Sequence, residues 1–287
     1  MGKCMVPPWQ VRGKLRAIGL ALIPILFSLQ GLPARAGSPE GGGPCVDPAA
    51  SARAVVSIFW RFGAPRRDGW EEIVGERATA WFYTSPRLLV TAAHFANELP
   101  TDGWQEAELR QAVREGEPEV TARVRLRVAV NGRLSGRRDG GAGRNAGLAD
   151  DVAIIELQEP FPHATVLEVQ PRPPEEDAAV LVLGYPGGRM EAAQGIVRRN
   201  GELAARYAGL ALFEVQGSNR LLLGGGASGA PVLDCGQGRV VAVLNGLLTG
   251  PALPFLPPGR VIPTPWGSPT NTAVPASALA AIRNCIP

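Results

Sequence analysis

The apolar positions of this chain fall in many short runs that are separated by turn-forming residues. Runs of this kind predict β-strands, and a run in which apolar and polar residues alternate predicts a strand with one face in water. Residues 97–117 are polar, with apolar positions at helical spacing, and predict a short surface helix. Residues 275–284 predict a terminal helix. The predicted strands are residues 54–60, 78–84, 88–91, 120–130, 152–157, 178–184, 193–198, 210–216, 231–233 and 240–245.

Short strands on both sides of a proline-rich segment predict an all-β protein with two halves. Five prolines occur in residues 159–176, which we interpret as a linker. The high content of Gly (36 residues) and Pro (27 residues) suits a protein rich in turns. We therefore expect two packed β-barrels, the first in residues 51–165 and the second in residues 166–287.

The first residues have the pattern of a cleaved export signal. A basic start is followed by an apolar segment at residues 17–32, and Ala34-Arg35-Ala36 is a small-residue cleavage pattern. We assign residues 1–36 to this signal and expect residues 37–50 to be loose. A retained membrane anchor is the alternative, which the short apolar segment and Pro24 make less favourable. The mature protein is expected in the periplasm or outside the cell.

The cysteines left after signal removal predict one disulfide and one free thiol. They are Cys45, Cys235 and Cys285, an odd number in an oxidising compartment. Pairing of Cys45 with Cys285 is preferred because it would tie the two ends together, and Cys235 with Cys285 is nearly as good. The sequence contains no Cys or His spacing typical of a structural metal site. Neither a metal nor a cofactor is expected.

The charge of the chain points away from nucleic acid. A formal net charge of +3 is small for 287 residues, and the Lys and Arg residues are scattered. The chain has only two histidines, His94 and His163, so a histidine-dependent reaction has few candidates. A protein or peptide substrate is the partner we expect, and the sequence leaves the oligomeric state open.

A single Ser in a glycine-rich stretch is the strongest chemical candidate. Ser228 lies between Gly226 and Gly229 and precedes an apolar run. A Ser hydroxyl becomes a good nucleophile when a base takes its proton and N–H groups bind the resulting oxyanion. Glycines let the backbone turn tightly enough to aim those N–H groups. An ordinary glycine-rich hairpin loop is the alternative interpretation.

The order of the candidate residues favours His94 as the base. His94 lies at a strand end and Asp151 at a strand start, although each also suits a purely structural role. No His follows Ser228, which excludes the order Ser, acid, His. The order Asp151, His163, Ser228 is formally possible, but His163 lies in a proline-broken loop. Asp150 competes with Asp151, which we prefer because it directly precedes the apolar strand.

Three sequence blocks resemble the signature blocks of trypsin-like (chymotrypsin-fold) serine peptidases. They are Thr91-Ala92-Ala93-His94, Asp151-Val152-Ala153-Ile154-Ile155 and Gly226-Ala227-Ser228-Gly229-Ala230-Pro231. Residues 182–187 and 240–245 are more similar to the bacterial HtrA/V8-like branch. The resemblance spans residues 54–280 and implies two six-stranded antiparallel β-barrels with a short C-terminal helix. No PDZ domain is expected after the second barrel.

The resemblance also implies a role for each residue. His94 would be the general base and then the general acid, Asp151 would orient its ring, and Ser228 would attack the carbonyl. The N–H groups of Gly226 and Ser228 would form the oxyanion hole. The substrate pocket would be lined by Leu222, Asn245 and Gly246, which suit an apolar or small side chain.

Two departures from the family pattern are informative. Phe95 stands where many animal members have Cys, so their usual disulfide is absent there. Ala227 stands where zymogens of the family carry Asp, so we expect no activation by an ion pair with a new amino terminus. The sequence therefore predicts an exported serine endopeptidase. A non-catalytic binding protein of the same fold, which has kept the three residues by descent, is the alternative.

Overall fold

Strands dominate the described part of the molecule, and they form two closed barrels. The computed structural model describes residues 45–65, 71–100, 102–112, 119–132, 151–170, 172, 174–198, 211–216, 225–247 and 270–283. The strands of the first barrel are β1 (Val55–Pro65), β2 (Glu71–Phe82), β3 (Leu88–Thr91), β4 (Gln105–Gln111), β5 (Val120–Asn131) and β6 (Ala153–Leu157). The strands of the second are β7 (Ala179–Gly184), β8 (Glu191–Arg198), β9 (Ala211–Gln216), β10 (Pro231–Asp234), β11 (Val240–Leu247) and β12 (Thr270–Pro275).

Each barrel closes through antiparallel pairs. The strand order is β1-β2-β3-β6-β5-β4 in the first barrel and β10-β11-β12-β9-β8-β7 in the second. Short helices lie outside the sheets, namely α1 (Pro48–Ala52), α2 (Ala93–Ala96) and α3 (Ser277–Arg283), together with a 3-10 turn at Pro186–Gly188. This architecture confirms the predicted all-β fold of two six-stranded barrels with a C-terminal helix.

Strands at the contact between the barrels bury both of their faces, because one faces a barrel interior and the other faces the second barrel. In β2, Ala80 and Phe82 belong to the core of the first barrel, whereas Trp81 belongs to a cluster shared with the second. Leu183 and Val243 supply the shared cluster from the second barrel. The sequences of these strands are therefore continuous apolar runs rather than strict alternations of apolar and polar residues.

The proline-rich linker makes contact with both barrels as it passes between them. Leu167 forms a bridge with Tyr83 of the first barrel, and Val169 forms one with Val240 of the second. The N–H of Leu167 donates to the carbonyl of Phe82 at 3.0 Å. The predicted boundary at residues 165 and 166 falls just before these bridges. That this boundary separates two independent domains stays a prediction.

The surface helix predicted for residues 97–117 is wrong. Residues 105–111 form β4 between β1 and β5, and Ala107, Leu109 and Gln111 are its buried positions. These three residues alternate with polar ones, so they have the period of a strand. Pairing on both sides supplies the hydrogen bonds that override the helical spacing of a polar segment.

Two further strand regions were not recognised in the sequence. Residues 61–65 and 71–76 lie outside the predicted strands, but β1 and β2 include them and still pair at Pro65 and Glu71. Strand β12 also went unassigned, because the buried residues Asn271 and Thr272 are polar and hide its periodicity.

The disulfide joins Cys45 to Cys235, which corrects both expected pairings with Cys285. Cys235 lies at the turn after β10, and the N–H of Val46 donates to its carbonyl at 2.9 Å. The Cα atoms of the two disulfide-bonded cysteines lie 4.1 Å apart. Spacing along the chain carries no information about such a contact.

Cys285 and the predicted signal, residues 1–36, lie outside the described residues. Among the described helices, none is long and apolar enough to cross a membrane.

Candidate active site

His94 and Asp151 come together because their strands are neighbours. Strand β3 ends at Thr91, which pairs with Ala153 at the start of β6. The chain beyond β3 and the chain before β6 therefore meet at one edge of the first barrel. Helix α2 begins directly after β3 and carries His94 over Asp151.

A single carboxylate binds His94 at two points. Asp151 Oδ1 accepts the backbone N–H of His94 at 2.8 Å, and Asp151 Oδ2 lies 2.9 Å from His94 Nδ1. The Asp151 side chain is 1% exposed, whereas the His94 side chain is 37% exposed. A carboxylate only accepts hydrogen bonds, so in the neutral ring this contact favours the tautomer with the proton on Nδ1 and the lone pair on Nε2. Among the two acids considered, this geometry favours Asp151, and Asp150 lies outside the described residues.

Ser228 lies in a loop of the second barrel that is docked on β2 of the first. The N–H of Thr79 donates to the carbonyl of Ser228 at 2.9 Å. On the other side, the N–H of Gly229 donates to the carbonyl of Leu244 in β11 at 2.7 Å. The nucleophile loop, which we define as residues 225–230, is thus held between the two barrels. Ser228 is half-buried.

Two glycines give the nucleophile loop its shape. Gly226 and Gly229 have φ values of 101° and 90°, a region that other residues rarely adopt. A Cβ on Gly229 would clash with Thr79 O and Thr91 Oγ1 and would lie 2.9 Å from Ala92 N. The loop therefore approaches the end of β3 closely, within a few residues of His94.

The backbone donors predicted to bind an oxyanion have no acceptor among the described residues. Within the described part of the chain, the N–H groups of Gly226 and Ser228 make no hydrogen bond. Gly226 is buried, and a buried N–H without an acceptor is uncommon unless it serves a bound group.

The structure does not join all three candidate residues by hydrogen bonds. His94 and Asp151 are bonded, but no hydrogen bond links Ser228 Oγ to His94 Nε2. Such bonds are often long or poorly aligned in structures without substrate, and they tighten when substrate binds. The contacts of Gly229 nevertheless bring the backbone of the nucleophile loop close to the end of β3, which precedes His94.

Thr79 is a central residue of this region that sequence reasoning missed. Its hydroxyl donates to Gly226 O at 2.7 Å and accepts from the N–H of Tyr185 at 2.9 Å. Its carbonyl accepts from Thr91 Oγ1 at 2.8 Å, and its N–H binds Ser228. A fully buried hydroxyl requires hydrogen-bond partners, but the burial of Thr79 is seen only in the structure, so the sequence offered no signal.

The other candidates have separate surroundings. His163 is exposed with φ 64°, and its carbonyl accepts from Arg53. Asn245 is buried, and its Oδ1 accepts from Thr272 Oγ1 at 2.7 Å. Gly246 is half-buried, and Leu222 lies outside the described residues. The assignment of Leu222, Asn245 and Gly246 to a substrate pocket stays a prediction.

Comparison with known protein families agrees with the fold. A family model described as a trypsin-like peptidase domain matches residues 78–243, which are more than half of the chain. His94, Asp151 and Ser228 all lie within the match. The chain therefore belongs to the family of trypsin-like peptidase domains. Among curated proteins, no sequence matches the chain.

Solved structures of bacterial proteases are similar to this chain at low identity. The active form of the Rv3671c protease from M. tuberculosis is 19% identical with a TM-score of 0.48, and the match covers 85% of this chain and 88% of that one. The inactive form, a serine-to-alanine mutant, is 18% identical with a TM-score of 0.46 and coverages of 85% and 95%. The serine endoprotease from Yersinia pestis is 14% identical with a TM-score of 0.49 and coverages of 82% and 63%. No residue role follows from similarities of this size.

Proposed function

We propose that this protein is an exported serine endopeptidase that acts through Ser228, His94 and Asp151. The observation that carries the proposal is the buried Asp151 carboxylate, which binds both the backbone N–H and Nδ1 of His94. This arrangement fixes the ring and leaves Nε2 for the proton of Ser228, whose loop approaches the end of β3 next to His94. Membership of a peptidase family supports the same reaction.

The first half of the proposed reaction forms an acyl-enzyme. Ser228 Oγ attacks the carbonyl carbon of the scissile peptide bond, and His94 Nε2 takes the hydroxyl proton. Asp151 stabilises the resulting imidazolium without itself becoming protonated. His94 then gives the proton to the leaving amine, the C–N bond breaks, and the acyl group remains on Ser228.

The second half repeats these steps with water. His94 removes a proton from water, which attacks the acyl carbonyl, and returns that proton to Ser228 Oγ as the ester bond breaks. In both halves, the negative oxygen of the tetrahedral intermediate is bound by the N–H groups of Gly226 and Ser228. Their lack of protein acceptors supports this role, and each such donor contributes on the order of 10² to 10³ in turnover.

Export is supported by the sequence of residues 1–36 and by the cysteine bond. The Cys45–Cys235 disulfide suits an oxidising compartment. The closer placement in the HtrA/V8-like branch rests on sequence blocks alone. A preference for apolar or small side chains before the scissile bond rests on Leu222, Asn245 and Gly246 in the same way.

A fluorophosphonate probe tests the nucleophile directly. The exported protein should be labelled on Ser228, and Ser228→Ala should abolish labelling. Ser85→Ala, which changes a serine in the turn before β3, is the matched control and should be labelled like wild type. Labelling that persists in Ser228→Ala would reject the assignment.

A second measurement tests the base and the alternative function. If the three residues act as a unit, His94→Ala should lower turnover of a peptide substrate by on the order of 10³ to 10⁶. A loss below tenfold would reject His94 as the base. The absence of a Ser228–His94 hydrogen bond is the observation that favours a non-catalytic binding protein. A folded wild-type protein that is neither labelled nor active would establish that alternative.

A further inference from the structure

Arg77 lies along the nucleophile loop without taking part in the proposed chemistry. It precedes Thr79 by two residues in β2, and its Cγ and Cδ lie 3.4 Å from the position that a Cβ on Gly226 would occupy. Its guanidinium continues over Gly188, where Arg77 Cζ lies 2.7 Å from the corresponding Cβ position. Only glycine at 188 leaves room for this side chain, whereas at Gly226 the stem of Arg77 makes an ordinary van der Waals contact.

The guanidinium of Arg77 has no anionic partner in the described part of the chain. It makes neither an ion pair nor a hydrogen bond there, and the acidic side chains near it bind another arginine. The nearby carboxylates of Glu108 and Glu119 both bind Arg110, at 3.7 and 3.6 Å. Arg110 also donates to the carbonyl of Gly188 at 3.3 Å.

An aromatic ring orients Arg77 without neutralising it. Arg77 Cζ lies 4.7 Å from the centre of the Phe59 ring, and Arg61 Cζ lies 5.1 Å from the same centre. Burial lowers the pKa of Arg77 and the adjacent charge of Arg110 lowers it further, whereas the charges of Glu108 and Glu119 act in the opposite direction without reversing the net shift. A half-buried cation with these neighbours gains from an added carboxylate, which accepts from two guanidinium N–H groups at once.

The position of Arg77 indicates which part of a substrate it would meet. The nucleophile loop has β11 on one side, through Leu244, and β2 on the other, through Thr79. The predicted pocket for the side chain before the scissile bond lies next to Leu244, at Asn245 and Gly246. A substrate that crosses Ser228 therefore places its leaving-group side towards β2 and Arg77.

We propose that Arg77 selects substrates that carry a carboxylate on the leaving-group side of the scissile bond. The carboxylate belongs either to an Asp or Glu side chain or to a free C-terminus close to the bond. This inference rests on the proposed peptidase function and adds a substrate class to it.

Matched peptides test the selection. One series carries Glu or Gln at each of the first three positions after the scissile bond and ends in an amide. In a second series, Gln replaces Glu throughout, and each peptide ends in a free carboxylate at the first, second or third position after the scissile bond. We expect kcat/KM to be about 5- to 50-fold higher with a carboxylate at one position, as for hydrogen bonds to charged groups that are partly exposed. The series with the larger ratio identifies the source of the carboxylate.

Variants of Arg77 assign the ratio to its charge. Arg77→Gln should bring the ratio close to one, and Arg77→Met, which keeps the aliphatic stem on Gly226, should do the same. Arg77→Lys should retain part of the preference because a single ammonium cannot bind both oxygens in the same way. Arg239→Gln is the matched control, since Arg239 pairs with Glu168 away from the loop and should leave the ratio unchanged.

The outcomes separate this inference from the proposed function. A wild-type ratio near one in every series overturns the role of Arg77, and so does a ratio that Arg77→Gln and Arg77→Met leave unchanged. Labelling of Ser228 by the fluorophosphonate is measured on each variant. A protein that is labelled but shows no carboxylate preference loses only this inference. A protein that is neither labelled nor active loses the peptidase function as well.

Discussion

The acid–base pair and the nucleophile loop are held by different kinds of contact. His94 and Asp151 belong to the first barrel, and the Asp151 carboxylate binds His94 directly. The two residues meet because β3 and β6 are paired neighbours. Ser228 belongs to the other barrel, and its loop is positioned by backbone bonds to Thr79 and Leu244. The position of Ser228, the proposed nucleophile, thus depends on the packing of one barrel against the other.

The difference shows where each half of the site is vulnerable. The pair should respond to changes in its own chemistry, whereas the loop should respond to steric and hydrogen-bonding changes in residues that touch no substrate. Thr79 is the clearest case, because its hydroxyl binds Gly226 and Tyr185 across the interface while lying in β2. Three substitutions sharpen the comparison.

The largest effect is expected from Asp151→Asn. The amide would present an N–H group to His94 Nδ1 and impose the wrong ring tautomer, so turnover should fall by about 10⁴. Steady-state kinetics on a peptide substrate measures this loss. Asp150→Asn is the matched control and should cost less than tenfold. If Asp150→Asn is the more damaging change, Asp151 is not the orienting acid.

The next effect is expected from Gly229→Ala. Its φ of 90° and the clash of a Cβ with Thr79 O and Thr91 Oγ1 would displace the loop. A displacement of about 1 Å can cost about 10² in rate, so we expect at least this loss in kcat/KM. Gly225→Ala is the control, because a Cβ there meets nothing within 4 Å. Equal activity of both variants would show that the close approach does not position Ser228.

A smaller effect is expected from Thr79→Val, which keeps the shape and removes the hydroxyl. Gly226 O and the N–H of Tyr185 would lose their partner, at a cost of about 1 to 3 kcal/mol in the free energy of unfolding. The fluorophosphonate labelling rate should fall about tenfold if the loop shifts with it. Urea unfolding and labelling kinetics measure the two effects. Thr79→Ser keeps the hydroxyl and should have the wild-type unfolding free energy and labelling rate. If it does not, Thr79 acts through packing alone.

Much of the fold was predictable because it follows from local pattern. Strand β3 was predicted with its observed bounds, and β6, β7 and β11 were each located from a continuous apolar run. The helix predicted over residues 97–117 failed because β4 owes its form to β1 and β5 on either side. A polar segment of this kind shows its strand period only when its partners are known.

The same division applies to the site. The residues His94, Asp151 and Ser228, their order and the glycines at 226 and 229 are all visible in the chain, since catalytic chemistry and positive φ demand particular residue types. Thr79 and the Cys45–Cys235 bond are not visible, since a threonine in a strand and a cysteine near a terminus look alike whatever they contact.

Residue type and local periodicity therefore determined the class of fold and the candidate chemistry. Only the tertiary structure decided that Thr79 bonds Gly226 and Ser228, that the Asp151 carboxylate binds His94 at two points, and that Arg77 lies against the nucleophile loop. The physical reason is that these contacts join residues far apart in the chain. Their partners are chosen by how two barrels pack, and no short stretch of sequence contains both sides of that interface.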